Sequence, residues 1–179
     1  IEKETWDTNS IYISGKDIST FPRRSGQFFI MRFLDKNRFW QAHPFSLSWG
    51  AENKDIRITP KNSGDYTSLI HLMKPGTRIL IDGPLGSFTK DRASKTKFLF
   101  IAGGIGITPI RSLIEDLGSD AADMILLYSN KLVKDIVFQD ELENYSKKYK
   151  LSVFHILTEE PNYKGEKGRI DTEKITRLV

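Results

Sequence analysis

Apolar and polar positions in the first ninety residues fall into short blocks separated by turn residues. Ile11–Ser14, Gln27–Leu34, Pro44–Ser48, Ile56–Pro60 and Arg78–Ile81 are rich in β-branched or aromatic side chains, the pattern of strands. With one helical stretch over Tyr66–Met73, this spacing predicts a small antiparallel barrel. Asp82-Gly83-Pro84-Leu85-Gly86-Ser87-Phe88 reads as a turn-rich exit from it, and Lys90–Lys97 as a linker without apolar period. The chain therefore divides into domains at 1–92 and 93–179.

Beyond the linker the pattern changes. Phe98–Ala102 is a continuous apolar run of buried-strand type, followed by glycines and a helix start with Thr108 as N-cap and Pro109 at the first helical position. Ile110, Leu113, Ile114 and Leu117 continue at helical spacing, Met124–Tyr128 is a second strand, and Phe138, Leu142, Tyr145 and Tyr149 form the stripe of a second helix. Leu151–Leu157 is a third strand. Alternation of this kind predicts a parallel sheet, half of a doubly wound α/β unit.

Composition narrows the chemistry. The 179 residues are 39% hydrophobic and 28% charged, enough apolar material for a real core. No cysteine is present, which excludes disulfides, thiolate metal sites, cysteine nucleophiles and cysteine-ligated iron–sulfur clusters within this sequence. The three histidines, His43, His71 and His155, are too dispersed to suggest a zinc site, so no metal centre is expected. The net charge of +4 is spread along the chain; Arg23-Arg24, Lys147-Lys148 and Lys164–Arg169 read as solvated surface, and no nucleic-acid partner is expected. Phe98–Ile110 is too short to span a bilayer and is broken by glycines. The start, Ile-Glu-Lys-Glu-Thr-Trp, is neither a signal peptide nor an initiator and reads as the edge of an excised piece.

Four motifs can carry chemistry. Gly103-Gly104-Ile105-Gly106-Ile107-Thr108-Pro109 joins a buried strand to a helix N-terminus, where backbone N–H groups and the helix dipole favour an anion such as a pyrophosphate. The bland alternative is a tight turn without a ligand. His43-Pro44-Phe45-Ser46-Leu47-Ser48 is an extended strand offering an aromatic face and alternating hydroxyls, able to stack on a planar heterocycle; a plain barrel strand would look the same. Gly64-Asp65-Tyr66-Thr67-Ser68 opens the short helix, with Arg57 and Lys61 upstream as cations, and reads either as a phosphate site or as a helix capped by Asp65. The glycines of Asp82–Phe88 serve backbone geometry and lobe contact.

In this order the four motifs, preceded by Gly26-Gln27-Phe28, resemble the ferredoxin–NADP reductase-like superfamily, and in wording its NADPH oxidase and ferric reductase branch. The resemblance spans about Gly15 to Arg169. It implies a six-stranded antiparallel flavin-binding barrel followed by a Rossmann-like parallel-sheet nucleotide lobe. The family continues past Gly168-Arg169-Ile170 into further elements, so the resemblance implies a lobe whose C-terminal part is either truncated or not represented in this sequence. It implies FAD and NADPH or NADH as cofactors. Phe45 would lie against the isoalloxazine, Ser46 at its N5 edge, and His43, Pro44, Ser48 and Thr59 beside them. Gly64, Tyr66, Thr67 and Ser68 would take the FAD pyrophosphate, with Arg57 or Lys61 as counter-charge. Gly103, Gly104, Ile105, Gly106, Thr108 and Pro109 would receive NAD(P)H, with Thr108 beside the reacting nicotinamide.

Ser129, Asn130 and Lys131 occupy the family's adenosine-ribose position. Lys131 stands where the family usually has Arg, and Lys lacks the fork for bidentate phosphate binding. No acidic residue stands within 128–131, so use of both nucleotides is expected. The function implied is a dehydrogenase domain that takes a hydride from NAD(P)H onto FAD and passes electrons singly to haem. That haem would lie in a transmembrane domain of the same protein, with oxygen or a ferric chelate as final acceptor, and this domain would sit on the cytoplasmic face of the membrane. A soluble reductase serving an iron–sulfur or haem partner, and a nucleotide-binding module without turnover, are the rival readings.

Overall fold

A computed structural model describes residues 1–36 and 39–179. Strands β1 (Glu2–Lys3), β2 (Asn9–Ile13), β3 (Phe28–Phe33), β4 (His43–Ser46), β5 (Ile56–Ile58) and β6 (Ile79–Leu85) are all antiparallel and form two three-stranded sheets, ordered β1-β2-β5 and β4-β3-β6. An isolated bridge between Leu47 and Ile58 ties the two sheets, and their inward residues make one core. Phe29, Met31 and Phe33 alternate along β3 with no exposed surface, as a half-buried strand requires. This is the small antiparallel barrel that the strand spacing predicts, with the six strands that the resemblance implies.

Between β5 and β6 lie α1 (Asp65–Ser68) and a 3-10 turn at Ile70–Leu72. The helix expected over Tyr66–Met73 is thus one α turn followed by a tighter one. Asp65 is its first residue and not its N-cap; that position belongs to Gly64. Strand β6 runs on to Leu85, through most of the segment expected to be a turn.

The second lobe contains β7 (Lys97–Gly103), α2 (Ile107–Leu117), β8 (Asp123–Asn130), α3 (Gln139–Lys148), β9 (Leu151–Leu157), β10 (Glu166–Lys167) and α4 (Thr172–Leu178). The four strands are parallel, in the order β10-β9-β8-β7. Ile107, Ile114, Met124, Leu126, Tyr128 and Leu142 form the centre of its core. α2 begins two residues earlier than expected: a 3-10 turn over Gly104–Gly106 leads straight into it, Gly106 is the N-cap, and the Thr108 hydroxyl donates to the Ile105 carbonyl inside the first turn. The expected Thr108 cap is therefore replaced by a continuous tightening of the backbone. β7 differs too. Phe100 and Ala102 are buried, but Leu99 and Ile101 are 41% and 50% exposed, so β7 is covered on one face only.

The lobes meet at Gly26, two residues before β3. Its φ of +88° suits glycine, and a Cβ there would collide with the Phe88 carbonyl and press on the Leu113 side chain. Gly26→Ala should cost at least about 2 kcal/mol in urea unfolding, from clash and strain together. Gly15→Ala, with nothing within 4 Å, should stay within about 0.5 kcal/mol of the parent.

Candidate functional site

Between the lobes lies a cleft of about 310 Å³. Its barrel wall is Pro44, Phe45 and Ser46 of β4 with Thr59, Pro60, Lys61, Ser63 and Thr67; its other wall is Ile105, Gly106, Thr108 and Pro109. Two of the four sequence motifs face each other here, and the third contributes Thr67.

The alternation of β4 sorts its side chains. Phe45 turns inward, 8% exposed, with its ring 6.1 Å from Phe33, and forms the cleft's floor. Ser46 turns outward, and among the described residues nothing hydrogen-bonds its hydroxyl. Ser48 behaves differently: it is fully buried, donates to the Arg57 carbonyl at 3.1 Å and shares a 2.7 Å hydrogen bond with Thr59. Its hydroxyl serves the barrel interior, so Ser48 is not brought to the cleft. Thr59 is buried as well, with only an edge on the cleft. The His43 ring packs against Tyr66 with centroids 3.9 Å apart and planes tilted by 32°, and Tyr66 in turn packs 6.4 Å from Phe33.

The phosphate turn is self-satisfied to a degree the sequence did not disclose. The Thr67 hydroxyl accepts from the Ser63 N–H at 3.0 Å and donates to the Gly64 carbonyl, while Ser68 donates to the Asp65 carbonyl. Of the two cations offered as counter-charge, only Lys61 lines the cleft, and its ammonium pairs with Asp7 at 3.3 Å. Arg57 is turned away. Its guanidinium donates to both oxygens of Glu141, at 2.7 and 3.2 Å, and to the Ser48 carbonyl at 2.6 Å, and it lies 4.7 Å from the Phe138 ring.

Glu141 also accepts from Arg111 Nε at 2.7 Å. Arg111 pairs with Glu115, whose carboxylate accepts from the Gly50 N–H at 2.7 Å and from Asn53 at 3.2 Å. Both arginine side chains are 3% exposed. Burial pushes the Glu141 carboxyl up, but Arg57 and Arg111 outweigh it and hold it below the ordinary carboxylate value. The sequence reading missed this junction. Its signal was Arg111 among the apolar positions of α2, and Arg57 between two buried isoleucines.

The glycine turn leaves open space at its mouth. Only Gly104, at φ +49°, needs glycine for its conformation. A Cβ built on Gly103, Gly104 or Gly106 would meet nothing within 4 Å. Nothing in the fold crowds these positions, so side chains would instead fill open space at the mouth of the turn, where a phosphate would approach the backbone. Beneath the turn, the Tyr128 hydroxyl donates to the Gly104 carbonyl at 3.1 Å and accepts from the Val137 N–H at 3.3 Å; burial pushes its pKa up to about 12. Strand register sets Gly103 beside Ser129, so the adenosine-ribose candidates adjoin the turn. Asn130 is 6% exposed, and Lys131 is exposed and paired with Glu159 at 3.1 Å. An acidic residue thus does reach this position, from the end of β9.

No group of three or more His, Cys, Asp or Glu suited to a metal occurs among the described residues, and no helix among them is long and apolar enough to cross a membrane.

Residues 2–89 match an FAD-binding domain family and residues 100–179 an oxidoreductase NAD-binding domain family. The flavohemoprotein of Candida albicans is 30% identical over 156 residues, 83% of this chain and 39% of that protein. NADH-cytochrome b5 reductase 2 of Mycosarcoma maydis is 34% identical over 97 residues, 52% of this chain and 28% of that protein. The chain spans well under half the length of these relatives. In fold it is similar to the cytochrome b5 reductase domain of Ulva prolifera nitrate reductase, with a TM-score of 0.86 at 19% identity over 99% of this chain and 78% of that one.

Tyr128→Phe should loosen the turn from below. It should cost about 1–3 kcal/mol of stability and speed hydrogen exchange of the 104–107 amides more than that of the barrel.

Proposed function

This chain belongs to the ferredoxin–NADP reductase-like superfamily, as an FAD-binding domain followed by an NAD-binding domain, and we propose that it works as the reductase module of a larger electron-transfer protein. The open space over Gly103, Gly104 and Gly106, opposite the unpaired Ser46 hydroxyl, carries the reading. When bound, the cofactors supply the chemistry: a hydride leaves nicotinamide for flavin, and the electrons leave flavin one at a time.

The residues' task is placement. Phe45 floors the flavin side of the cleft, and Ser46 offers a hydroxyl at its rim. Lys61 supplies positive charge toward a phosphate, with Thr67 holding the turn beside it. Gly103–Gly106 admit the nucleotide pyrophosphate to the start of α2, and Thr108 and Pro109 border the place where the two rings meet. Ser129 and Lys131 meet the adenosine ribose, and Glu159 tempers the lysine's attraction for a 2′-phosphate.

For the acceptor we favour haem in a transmembrane domain of the same protein, with oxygen or a ferric chelate downstream and this domain at the cytoplasmic face. The wording His43-Pro44-Phe45-Ser46 and Gly64-Asp65-Tyr66-Thr67 supports this choice. The soluble-reductase reading is supported by the likeness to a flavohemoprotein and a cytochrome b5 reductase. The sequence upstream of Ile1 separates them: apolar helices bearing paired histidines belong to the first alone.

Addition of NADH or NADPH to the FAD-loaded chain should bleach the flavin band; binding without bleaching would leave only a nucleotide-binding module. Ser46→Ala should slow bleaching roughly 5- to 150-fold, the equivalent of about 1–3 kcal/mol for one oriented hydrogen bond, without changing the melting temperature. Stopped-flow reduction at the parent rate would remove Ser46 from the site. Both nucleotides should serve. Lys131→Ala should lower NADPH use about two- to five-fold and Glu159→Gln should raise it, with NADH use nearly constant in both. Equal changes for the two nucleotides would place Lys131 elsewhere.

A further inference from the structure

We propose that Glu141 is a positioning residue for the cleft, clamping its two walls at a fixed separation through Arg57 and Arg111. This rests on reading the cleft as the meeting place of the two cofactors. The geometry is direct on both sides. Arg57 holds Glu141 with one hand and the Ser48 carbonyl with the other, and Ser48 lies two residues along the chain from Ser46 on the barrel wall. Arg111 holds the same carboxylate from α2, two residues beyond Pro109 on the opposite wall. A single side chain from α3, which lines no part of this cleft, thus bridges both.

Three further contacts brace the same junction. Ser112 donates to the Trp49 carbonyl at 2.6 Å, and Glu115 accepts from Gly50 and Asn53. All fall on the 49–53 segment that leaves the barrel wall. Glu141 is the shared member of the network, because two buried guanidiniums converge on it, whereas of the two Glu115 receives Arg111 alone. Replacing the Glu141 carboxylate by an amide leaves Arg57 without its anionic partner while Arg111 keeps Glu115, so the charge pair that ties the barrel to the nucleotide lobe is lost, and the favourable response is for the walls to part. Misplacement of reacting groups by about 1 Å is enough to cost a hundredfold in rate.

The absence of native cysteine makes the clamp measurable. Spin labels at Lys16→Cys in the barrel and Lys147→Cys on α3, both exposed positions, report lobe separation in the FAD-loaded chain. Glu141→Gln should broaden the label-to-label distance distribution at least twofold. It should also slow flavin bleaching at saturating NADH at least tenfold, with FAD affinity kept within twofold. Glu115→Gln should move both readouts the same way by less, and it decides the matter by the same two readouts should Glu141→Gln not fold. An unchanged distance distribution would overturn the proposal, and so would a broadened one with bleaching at the parent rate. Should the parent bind FAD without being reduced by either nucleotide, the proposed function fails on its own, and the distance measurement alone then decides whether Glu141 sets the cleft.

Discussion

Two arginines, each 3% exposed, cannot be buried without an anion between them, and Glu141 is that anion. Arg57 belongs to the barrel, and Arg111, Glu115 and Glu141 to the nucleotide lobe, so the barrel's buried cation takes its carboxylate from the other lobe. Breaking such a buried arrangement by removing one partner typically costs about 3–5 kcal/mol. Phe138 marks the same constraint in the backbone: at φ +62°, rare for an aromatic residue, it sets its ring over the Arg57 guanidinium. Gly26 completes the junction by leaving room for the Phe88 carbonyl and Leu113. The cleft exists because these contacts bring two otherwise separate cores to a common edge.

The cleft is built largely from backbone, with few committed side chains. Hydroxyls that looked equivalent in sequence divide by the face they occupy: Ser48 and Thr59 are spent on each other inside the barrel, while Ser46 faces outward. The glycine turn follows the same economy. Its rigidity comes from Tyr128 below and its openness from the lack of side chains above. Rigid support under an open surface is what a site needs when cofactors carry the reaction and the protein aligns them.

Most of this architecture was legible in the chain. The alternation of Phe29, Met31 and Phe33 marked a strand, the stripe Ile110, Leu113, Ile114 and Leu117 a helix, and the glycines after Ala102 the turn between strand and helix. What was not legible depended on partners distant in sequence. β1, β10 and α4 are short and mostly polar, so no hydrophobic period announces them. Leu99 and Ile101 read as buried because apolar runs in parallel strands usually are, and only their exposure in the fold reveals one face of β7 uncovered. Arg57 read as a phosphate ligand because its partner lies eighty-four residues away. Thr67 and Ser68 are the local version of the same limit: hydroxyls beside a glycine suit a ligand and their own turn equally well until the hydrogen bonds are seen.

Burial also divides the electrostatics of the molecule into two regimes. The quartet of Arg57, Arg111, Glu115 and Glu141 sums to zero and is drawn into the junction, where dissolved ions have little access to it. Lys131 and Glu159 stand in solvent, 71% and 56% exposed, and mobile ions screen them within a Debye length of roughly 8 Å at physiological ionic strength. Salt therefore acts on how strongly a nucleotide phosphate is attracted while leaving the shape of the cleft unchanged. An ionic-strength titration thereby reports on recognition separately from architecture, without any substitution.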